Sequence, residues 1–169
     1  MLKASFPPVV AANTRLLVLG SLPGDRSLAE ARYYAHPQNQ FWRLMSPVVD
    51  RDLHALPYAD RLAALLARGV GLWDVVATAR RTGSSDAAIR DIAGNDIATL
   101  AATLPALQAI AFNGATAAKQ GEKLLGTHPI HRIALPSSSP LHTIGLAAKQ
   151  PAWEALKTFV IPGSSRDPG

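Results

Sequence analysis

The stretch RLLVLGSLPG, residues 15–24, decides the fold of this chain. Its first six residues are a short apolar run that ends in glycine, a pattern typical of a strand buried in a parallel sheet. Residues 20–24 predict a tight loop whose backbone can approach a ligand closely. No Gly-Lys-Ser/Thr follows and the GxGxxG spacing is missing, so this is neither type of nucleotide-phosphate loop. Taken alone, it is an ordinary strand-to-helix turn.

The rest of the chain alternates between predicted strands and predicted helices. Three further strands are expected, at residues 70–76, 107–112 and 131–136. Helices are expected at residues 41–48, 57–68, 96–104, 115–125 and 151–160. We therefore predict an α/β fold with three α/β/α layers, in which a central, mainly parallel four-stranded sheet is covered by helices on both faces.

Three segments fall outside this alternation. The residues before about 13 are expected to form an irregular leader, and residues 77–90 a long basic loop at the surface. The tail from about residue 162 is predicted to be disordered. With 169 residues and 48% hydrophobic composition, residues 1–169 suffice for a single domain with a full core at about residues 15–160.

Composition narrows the classes of function. Cysteine is absent, which excludes disulfides, thiolate zinc sites and iron–sulfur clusters and fits a cytoplasmic location. The five histidines show no ligand spacing on one helix, so neither a metal nor another cofactor is expected. Neither a signal peptide nor a membrane span is expected. The net charge of +5 and the pI of about 10.0 favour a polyanionic partner.

Polar or glycine-rich loops follow each of the four predicted strands. They are residues 20–24, the segment from Asp74 onward, residues 113–114 and residues 137–142. Ligands of parallel sheets bind at the carboxyl ends of the strands, so these loops outline a single crevice. Asp74 is unusual because a carboxylate within an apolar strand needs either a hydrogen-bonding partner or a function.

The segment YYAHPQNQFW, residues 33–42, combines aromatic side chains, a histidine and carboxamides within ten residues. Its aromatic and carboxamide side chains can stack on a flat heterocycle and hydrogen-bond its edge, as base recognition requires. We interpret Phe41 and Trp42 as core anchors at a helix start. Tyr34 and Asn39 are the candidates for a site.

These segments, in this order, resemble the uracil-DNA glycosylase superfamily. GSLPG (residues 20–24) matches its first motif and LPSSSPLH (residues 135–142) its last. Residues 34–42, 69–74 and 112–114 resemble the mismatch-specific uracil/thymine branch. The complete pattern, over roughly residues 15–160, is most similar to the hypoxanthine-DNA (deoxyinosine) glycosylase family.

One position departs from the uracil-specific families. They often carry a catalytic Asp or Asn in the middle of the first motif, where this chain has Leu22. Leucine cannot position water or accept a proton, so strong general uracil excision is not expected. The hypoxanthine family is similar in lacking this group, and the asparagine corresponding to Asn39 is thought to take over.

The resemblance implies a monofunctional DNA glycosylase without lyase activity. Its substrate would be DNA containing a deaminated base, with hypoxanthine as the first choice. The damaged nucleotide must be flipped out of the duplex before the N-glycosidic bond is hydrolysed. Asn39 would be the catalytic residue. Base binding is expected from Ser21, Leu22, Pro23, Tyr34 and Asp74. DNA contacts are expected from Ser137, Ser138, Ser139, Leu141 and His142.

Individual roles follow from side-chain chemistry. Tyr34 would stack on the flipped base. Hypoxanthine and uracil both present an N–H beside a carbonyl, and an ionised Asp74 would accept a hydrogen bond from it. The mismatch branch has Asn at this position, which makes Asp74 a source of altered base choice. Leu141 is the candidate wedge that fills the vacated stack, and the three serines suit phosphate contacts.

Three alternatives stay open from the sequence. They are a mismatch-type uracil-DNA glycosylase, a non-catalytic nucleic-acid-binding module of the same fold, and a hydrolase of free nucleosides. The sequence does not rank hypoxanthine, uracil and xanthine, and it assigns no role to His36 or Asn113. A monomer is expected.

Overall fold

A computed structural model describes residues 2–81 and 89–162, with the backbone alone at residues 90 and 91. The strands are β1 (Leu2–Ala4), β2 (Leu16–Gly20), β3 (Val70–Asp74), β4 (Val76–Arg80), β5 (Arg90–Gly94), β6 (Ala109–Asn113) and β7 (His131–Leu135). The α-helices are α1 (Asp25–Glu30), α2 (Phe41–Val49), α3 (Tyr58–Ala67), α4 (Ile97–Ala102), α5 (Ala115–Leu125) and α6 (Leu146–Glu154). Short 3-10 helices span Leu53–Ala55 and Ala155–Phe159.

The central sheet has the strand order β3-β2-β6-β7, and all three pairs are parallel. Every residue of β2 is buried, because this strand lies inside the sheet and is covered on both faces. The predicted four-stranded α/β/α architecture is therefore confirmed. Its four predicted strands correspond to β2, β3, β6 and β7.

Two apolar clusters lie on the two faces of this sheet. Successive residues of β2 alternate between them: Leu16 and Val18 enter one cluster, while Leu17 and Leu19 enter the other. The first cluster contains the buried face of α2, including Phe41 and Trp42, which confirms their role as core anchors.

A second sheet was not predicted. It is antiparallel with the order β1-β4-β5. Its first strand and most of its second lie in segments that were expected to be irregular. The leader prediction was wrong because residues 2–4 pair with β4, and Val9 bridges to Leu72 of β3. The surface-loop prediction was wrong for residues 77–80, which belong to β4 and include the buried Ala79.

Two other expectations reach beyond the described residues. Positions 82–88, which belong to the predicted basic loop, lie outside them, and so does the tail at residues 163–169. In residues 2–81 and 89–162, no helix combines the length and apolar character needed to cross a bilayer.

Candidate active site

A cavity of about 840 Å³ lies at the carboxyl ends of the parallel strands. Its walls come from the loop after β2, the segment before α2, the end of β3, the start of α5 and the loop after β7. All eleven predicted site residues line it: Ser21, Leu22, Pro23, Tyr34, Asn39, Asp74, Ser137, Ser138, Ser139, Leu141 and His142. The parallel sheet accounts for this convergence, because it brings the ends of all its strands to one edge.

Two parts of the cavity differ in character, an inner wall and a rim loop. The inner wall consists of Gly20, Tyr34, Asn39, Asp74, Asn113 and Ser138. The rim loop is the segment of residues 139–145.

Three residues of the inner wall are the last residues of strands: Gly20 ends β2, Asp74 ends β3 and Asn113 ends β6. Gly20 pairs with Asp74 across β2 and β3. A Cβ at position 20 would lie 2.7 Å from Asp74 Oδ1 and 3.2 Å from the Tyr34 hydroxyl. Asp74 is only 4% exposed. The carboxylate and the phenol therefore meet over a position that only glycine can occupy without displacing them.

Tyr34 is held in an unusual conformation. Its φ of 53° lies in the left-handed region, which non-glycine residues seldom adopt and which is often found at functional sites. Its ring stacks on Phe41 with a centroid separation of 3.9 Å. Trp42 Nε1–H donates to the Tyr34 carbonyl at 3.1 Å. The core anchors of α2 thus fix the backbone and ring of a residue that lines the cavity.

Three polar side chains of the inner wall are connected by hydrogen bonds. Asn113 Nδ2 donates to Ser138 Oγ at 2.9 Å, and Ser138 Oγ donates to Asn39 Oδ1 at 2.8 Å. The Ser138 N–H also donates to Asn113 Oδ1 at 2.8 Å. This connection joins the end of β6 and the loop after β7 to the residue predicted to be catalytic.

A buried lysine ties the rim loop to the same region. Lys149 of α6 is 0% exposed, and its Nζ donates to Gln40 Oε1 at 2.8 Å and to the Ser139 carbonyl at 3.2 Å. Desolvation by the surrounding protein lowers the pKa of Lys149 below its ordinary value. No local pattern predicted this contact, since Lys149 lies 109 residues from Gln40 along the chain.

The loop after β2 is buried against the second sheet. The carbonyls of Gly20 and Ser21 accept from the N–H groups of Val75 and Val76, at 2.8 and 3.0 Å. Arg81 donates to the carbonyl of Pro23. The Leu22 side chain is 6% exposed and packs in an apolar cluster. Its backbone N–H makes no hydrogen bond within residues 2–81 and 89–162, so it can serve a ligand.

The loop after β7 turns from buried to exposed. Ser137 and Ser139 use their hydroxyls in local turns, accepting from the N–H groups of Ser139 and Leu141 at 3.1 and 3.2 Å. Leu141 is then 66% exposed and Ile144 53% exposed. The exposure of Leu141 at the mouth of the cavity is what a wedge requires. At the buried end of the loop, Trp153 Nε1–H donates to the Pro136 carbonyl at 2.9 Å.

Sequence reasoning missed or left unassigned several contributors to this site. Asn113 was visible as a polar strand end, but Gln40 and Lys149 carried no local signal. His36 is exposed and lines the cavity, and its Nδ1 accepts from the Gln38 N–H at 3.1 Å. No group of histidine or acidic side chains suited to a metal occurs in the part of the chain that the structure describes.

Comparisons with known proteins give the family of this chain. A family model of the Uracil DNA glycosylase superfamily matches residues 7–157. A protein named Hypoxanthine DNA glycosylase from Methanosarcina barkeri is 39% identical over 158 residues, which cover 93% of this chain and 99% of the relative. The protein of the same name from Methanosarcina acetivorans is 38% identical, with coverage of 92% and 98%.

A solved structure is also similar. It is the solution NMR structure of a putative uracil DNA glycosylase from Methanosarcina acetivorans. It has 37% sequence identity and a TM-score of 0.85, and the match covers 94% of this chain and 99% of that one. The chain therefore belongs to the uracil-DNA glycosylase superfamily.

Proposed function

We propose that this protein is a monofunctional DNA glycosylase that removes hypoxanthine from deoxyinosine in DNA and leaves an abasic site. The observation that carries this is the meeting of an aromatic ring, a carboxylate and a carboxamide, from Tyr34, Asp74 and Asn39, in one cavity at the strand ends. The relatives named Hypoxanthine DNA glycosylase, at 38–39% identity over nearly the whole chain, support the choice of base.

Base recognition uses the inner wall. Phe41 stacks on the Tyr34 ring, and Tyr34 lines the cavity. We expect this ring to stack on the flipped base, an interaction typically worth about 1–3 kcal/mol. Asp74 accepts a hydrogen bond from the N1–H of hypoxanthine. Adenine has an unprotonated acceptor at N1, which a carboxylate repels, so Asp74 distinguishes the deaminated base from its parent.

The reaction is a hydrolysis without a covalent enzyme intermediate. The bond between C1′ of the deoxyribose and N9 of the base breaks, and its electron pair leaves with the base. The oxygen of water forms a new bond to C1′, and one water proton neutralises the departing base. Negative charge develops on the base in the transition state, so donors aimed at the base lower the barrier. Asn39 supplies such donors, and so does the backbone N–H of Leu22, which has no partner among the described residues.

DNA binding uses the rim loop and the positive charge of the chain. Leu141 enters the stack that the flipped nucleotide leaves, and Ser137, Ser139 and His142 contact the flanking phosphates. The net charge of +5 favours the polyanion. We expect the protein to act as a monomer on DNA in the cytoplasm, independently of any membrane or cofactor.

A series of labelled duplexes tests this function. Each carries deoxyinosine, deoxyuridine or an ordinary base at the same position, and alkali cleaves the strand wherever an abasic site has formed. We expect breaks at deoxyinosine with the wild-type protein and with Asn13→Ala, a control whose side chain bonds to Leu66 far from the cavity. Asn39→Ala should lose about 100- to 1,000-fold in kcat. Binding without breaks on every duplex would leave only the non-catalytic module.

A mismatch-type uracil-DNA glycosylase is the second candidate. Uracil also presents an N–H beside a carbonyl, so the carboxylate of Asp74 fits it as well. The buried, apolar Leu22 disfavours this function, because the water-activating group of the uracil-specific families is missing there. Breaks mainly at deoxyuridine in the same experiment would favour it.

A further inference from the structure

The hydrogen bonds around Asn39 determine which end of its carboxamide faces the cavity. Asn39 Oδ1 accepts from the backbone N–H of Phe41 at 2.9 Å. A backbone N–H can only donate, so the group opposite it must be the oxygen of the carboxamide and cannot be its nitrogen. The same oxygen accepts from Ser138 Oγ at 2.8 Å. Both contacts hold the oxygen against the protein.

The neighbouring contacts fix the direction of the Ser138 hydroxyl. The Ser138 N–H donates to Asn113 Oδ1, which places the amide nitrogen of Asn113 at the other position, 2.9 Å from Ser138 Oγ. That nitrogen donates to Oγ. Since a serine hydroxyl has one proton, it must be donated onward to Asn39 Oδ1. The hydrogen bonds therefore run in one direction, from Asn113 through Ser138 to Asn39.

Ser138 is fully occupied by these contacts. It is 1% exposed, its N–H and Oγ are used as described, and its carbonyl accepts from the Gln40 N–H at 2.9 Å. A phosphate would have to displace one of these partners. The phosphate contact expected for Ser138 is thus replaced by a role inside the protein, whereas Ser137 and Ser139 are half-buried and line the cavity.

We propose that Ser138 is a positioning residue that locks the carboxamide of Asn39 with its NH2 group towards the cavity, so that Asn39 donates to the departing base and does not activate water. Asn39 is half-buried and lines the cavity, and its Nδ2 has no hydrogen-bond partner in the described ranges. An amide nitrogen cannot accept a proton from water. Two donors on Oδ1 also polarise the carboxamide and strengthen its N–H groups. This inference rests on the proposed glycosylase function and deepens it.

Asn39→Asp separates donation from water activation. The variant keeps an oxygen opposite Phe41 and Ser138 but turns a second oxygen, an acceptor, towards the cavity. We expect it to be as inactive as Asn39→Ala at neutral pH. Its activity relative to wild type should rise as the pH falls through the pKa of the new carboxyl, because the protonated group can donate. A carboxylate is a better base than an amide, so activity at or above the wild-type level at neutral pH would overturn the proposal.

Ser138→Ala tests the positioning role with single-turnover kinetics on a deoxyinosine duplex. We expect the excision rate constant to fall about tenfold, the effect of losing one oriented hydrogen bond, with the Kd for DNA unchanged. In an Asn39→Ala background, Ser138→Ala should cause no additional loss, because the group it positions is gone. Ser46→Ala is the matched control: its hydroxyl also makes two hydrogen bonds, to Trp42 and Leu53, and it lies outside the cavity.

Other results of these experiments would contradict the positioning role of Ser138 or the donor role of Asn39. An increase in Kd with a shallower salt dependence and an unchanged rate constant would return Ser138 to phosphate binding. Ser138→Ala could instead lower the excision rate constant equally in the wild-type and Asn39→Ala proteins, or Ser46→Ala could lower it as much as Ser138→Ala does. Either result would show that Ser138 has only a structural role. If Ser138→Ala does not fold, the pH profile of Asn39→Asp still decides whether Asn39 donates. A wild-type protein that excises no base contradicts the proposed function, which is a different result from any of these.

Discussion

The inner wall of the cavity and the rim loop differ in burial and in hydrogen bonding. Asp74, Asn113 and Ser138 of the inner wall are at most 7% exposed, whereas Leu141 in the rim loop is 66% exposed. The inner wall is organised before any ligand arrives, as the recognition of one small heterocycle requires. The rim loop meets a long duplex whose local shape varies, and an exposed apolar side chain can adapt to it. Substitutions in the two parts should therefore have different effects.

Among substitutions that leave Asn39 in place, Gly20→Ala should have the largest effect, because it displaces two side chains of the inner wall at once. The added methyl would collide with Asp74 Oδ1 and crowd the Tyr34 hydroxyl. A displacement of about 1 Å at such a site can reduce activity about 100-fold, and we expect a loss of this size in kcat/KM for deoxyinosine. Gly94→Ala is the control, since the three atoms nearest to its methyl would all belong to the flexible side chain of Leu124. Full activity in Gly20→Ala would show that the inner wall is not rigid.

Asp74→Asn should change base choice within the inner wall. Replacing a carboxylate that accepts a charge-assisted hydrogen bond with an amide should reduce deoxyinosine excision about 10- to 100-fold. The loss for deoxyuridine should be smaller, as the mismatch branch carries Asn at this position. Competition kinetics with the two substrates measure the ratio, and Asp50→Asn, at an exposed ion pair with Lys157, is the control. Equal losses on both substrates would contradict a specificity role.

Leu141→Ala should have a smaller effect that depends on the DNA and not on the base. Removing the wedge should lower kcat/KM about tenfold on a duplex. Full burial of the three carbons that are lost would contribute about 2.4 kcal/mol, at about 0.8 kcal/mol each, and a tenfold effect corresponds to burial of about half of that apolar surface. On single-stranded deoxyinosine DNA there is no stacked partner to replace, so we expect almost no loss. Leu2→Ala, at another exposed leucine, controls for the loss of apolar surface. A tenfold loss on both substrates would place Leu141 in the cavity rather than in the DNA stack.

Tyr33, beside the inner wall, should affect stability more than activity. Burial, followed by the negative charge of Asp74, raises the pKa of Tyr33 above its ordinary value of 10.0. Above pH 10 the unfolded chain loses this proton while the folded protein keeps it. The free energy of unfolding should therefore fall by about 1.4 kcal/mol per pH unit from this residue alone.

Urea unfolding between pH 9 and 11 measures this contribution. Tyr33→Phe should show a shallower decline with pH than the wild type, although it also loses the hydrogen bond to the Pro7 carbonyl. Parallel curves for the two proteins would contradict the assignment.

The central sheet and the position of the cavity could be predicted from the sequence because both follow from local patterns. Apolar runs that end in glycine or a polar residue marked β2, β3, β6 and β7, and parallel pairing then placed their ends together. The antiparallel sheet could not be predicted in this way. Residues 2–4 and 76–80 have weak local patterns, and they are strands only because they pair with each other across more than 70 residues.

The candidate site also has features that local sequence predicts and features that depend on contacts between distant residues. Tyr34, Asn39 and Asp74 were identified from their chemical types and their motif positions, and the structure brings all three to one cavity. The role inferred for Ser138 depends on which atoms of Asn39 and Asn113 it touches, and those contacts span 99 and 25 residues. A motif gives residue types in order, but it does not give the direction of a hydrogen bond.

Two tryptophan side chains are hydrogen-bonded to segments of the site, so the intrinsic fluorescence of the protein reports on the site. Of its three tryptophans, Trp42 bonds to the carbonyl of Tyr34 and Trp153 to that of Pro136, so both report on segments that form the cavity. Their fluorescence should shift when a flipped base settles against Tyr34, and it should shift to longer wavelength when these segments separate on heating. Base capture and loss of the active site can thus be followed in real time with unlabelled protein.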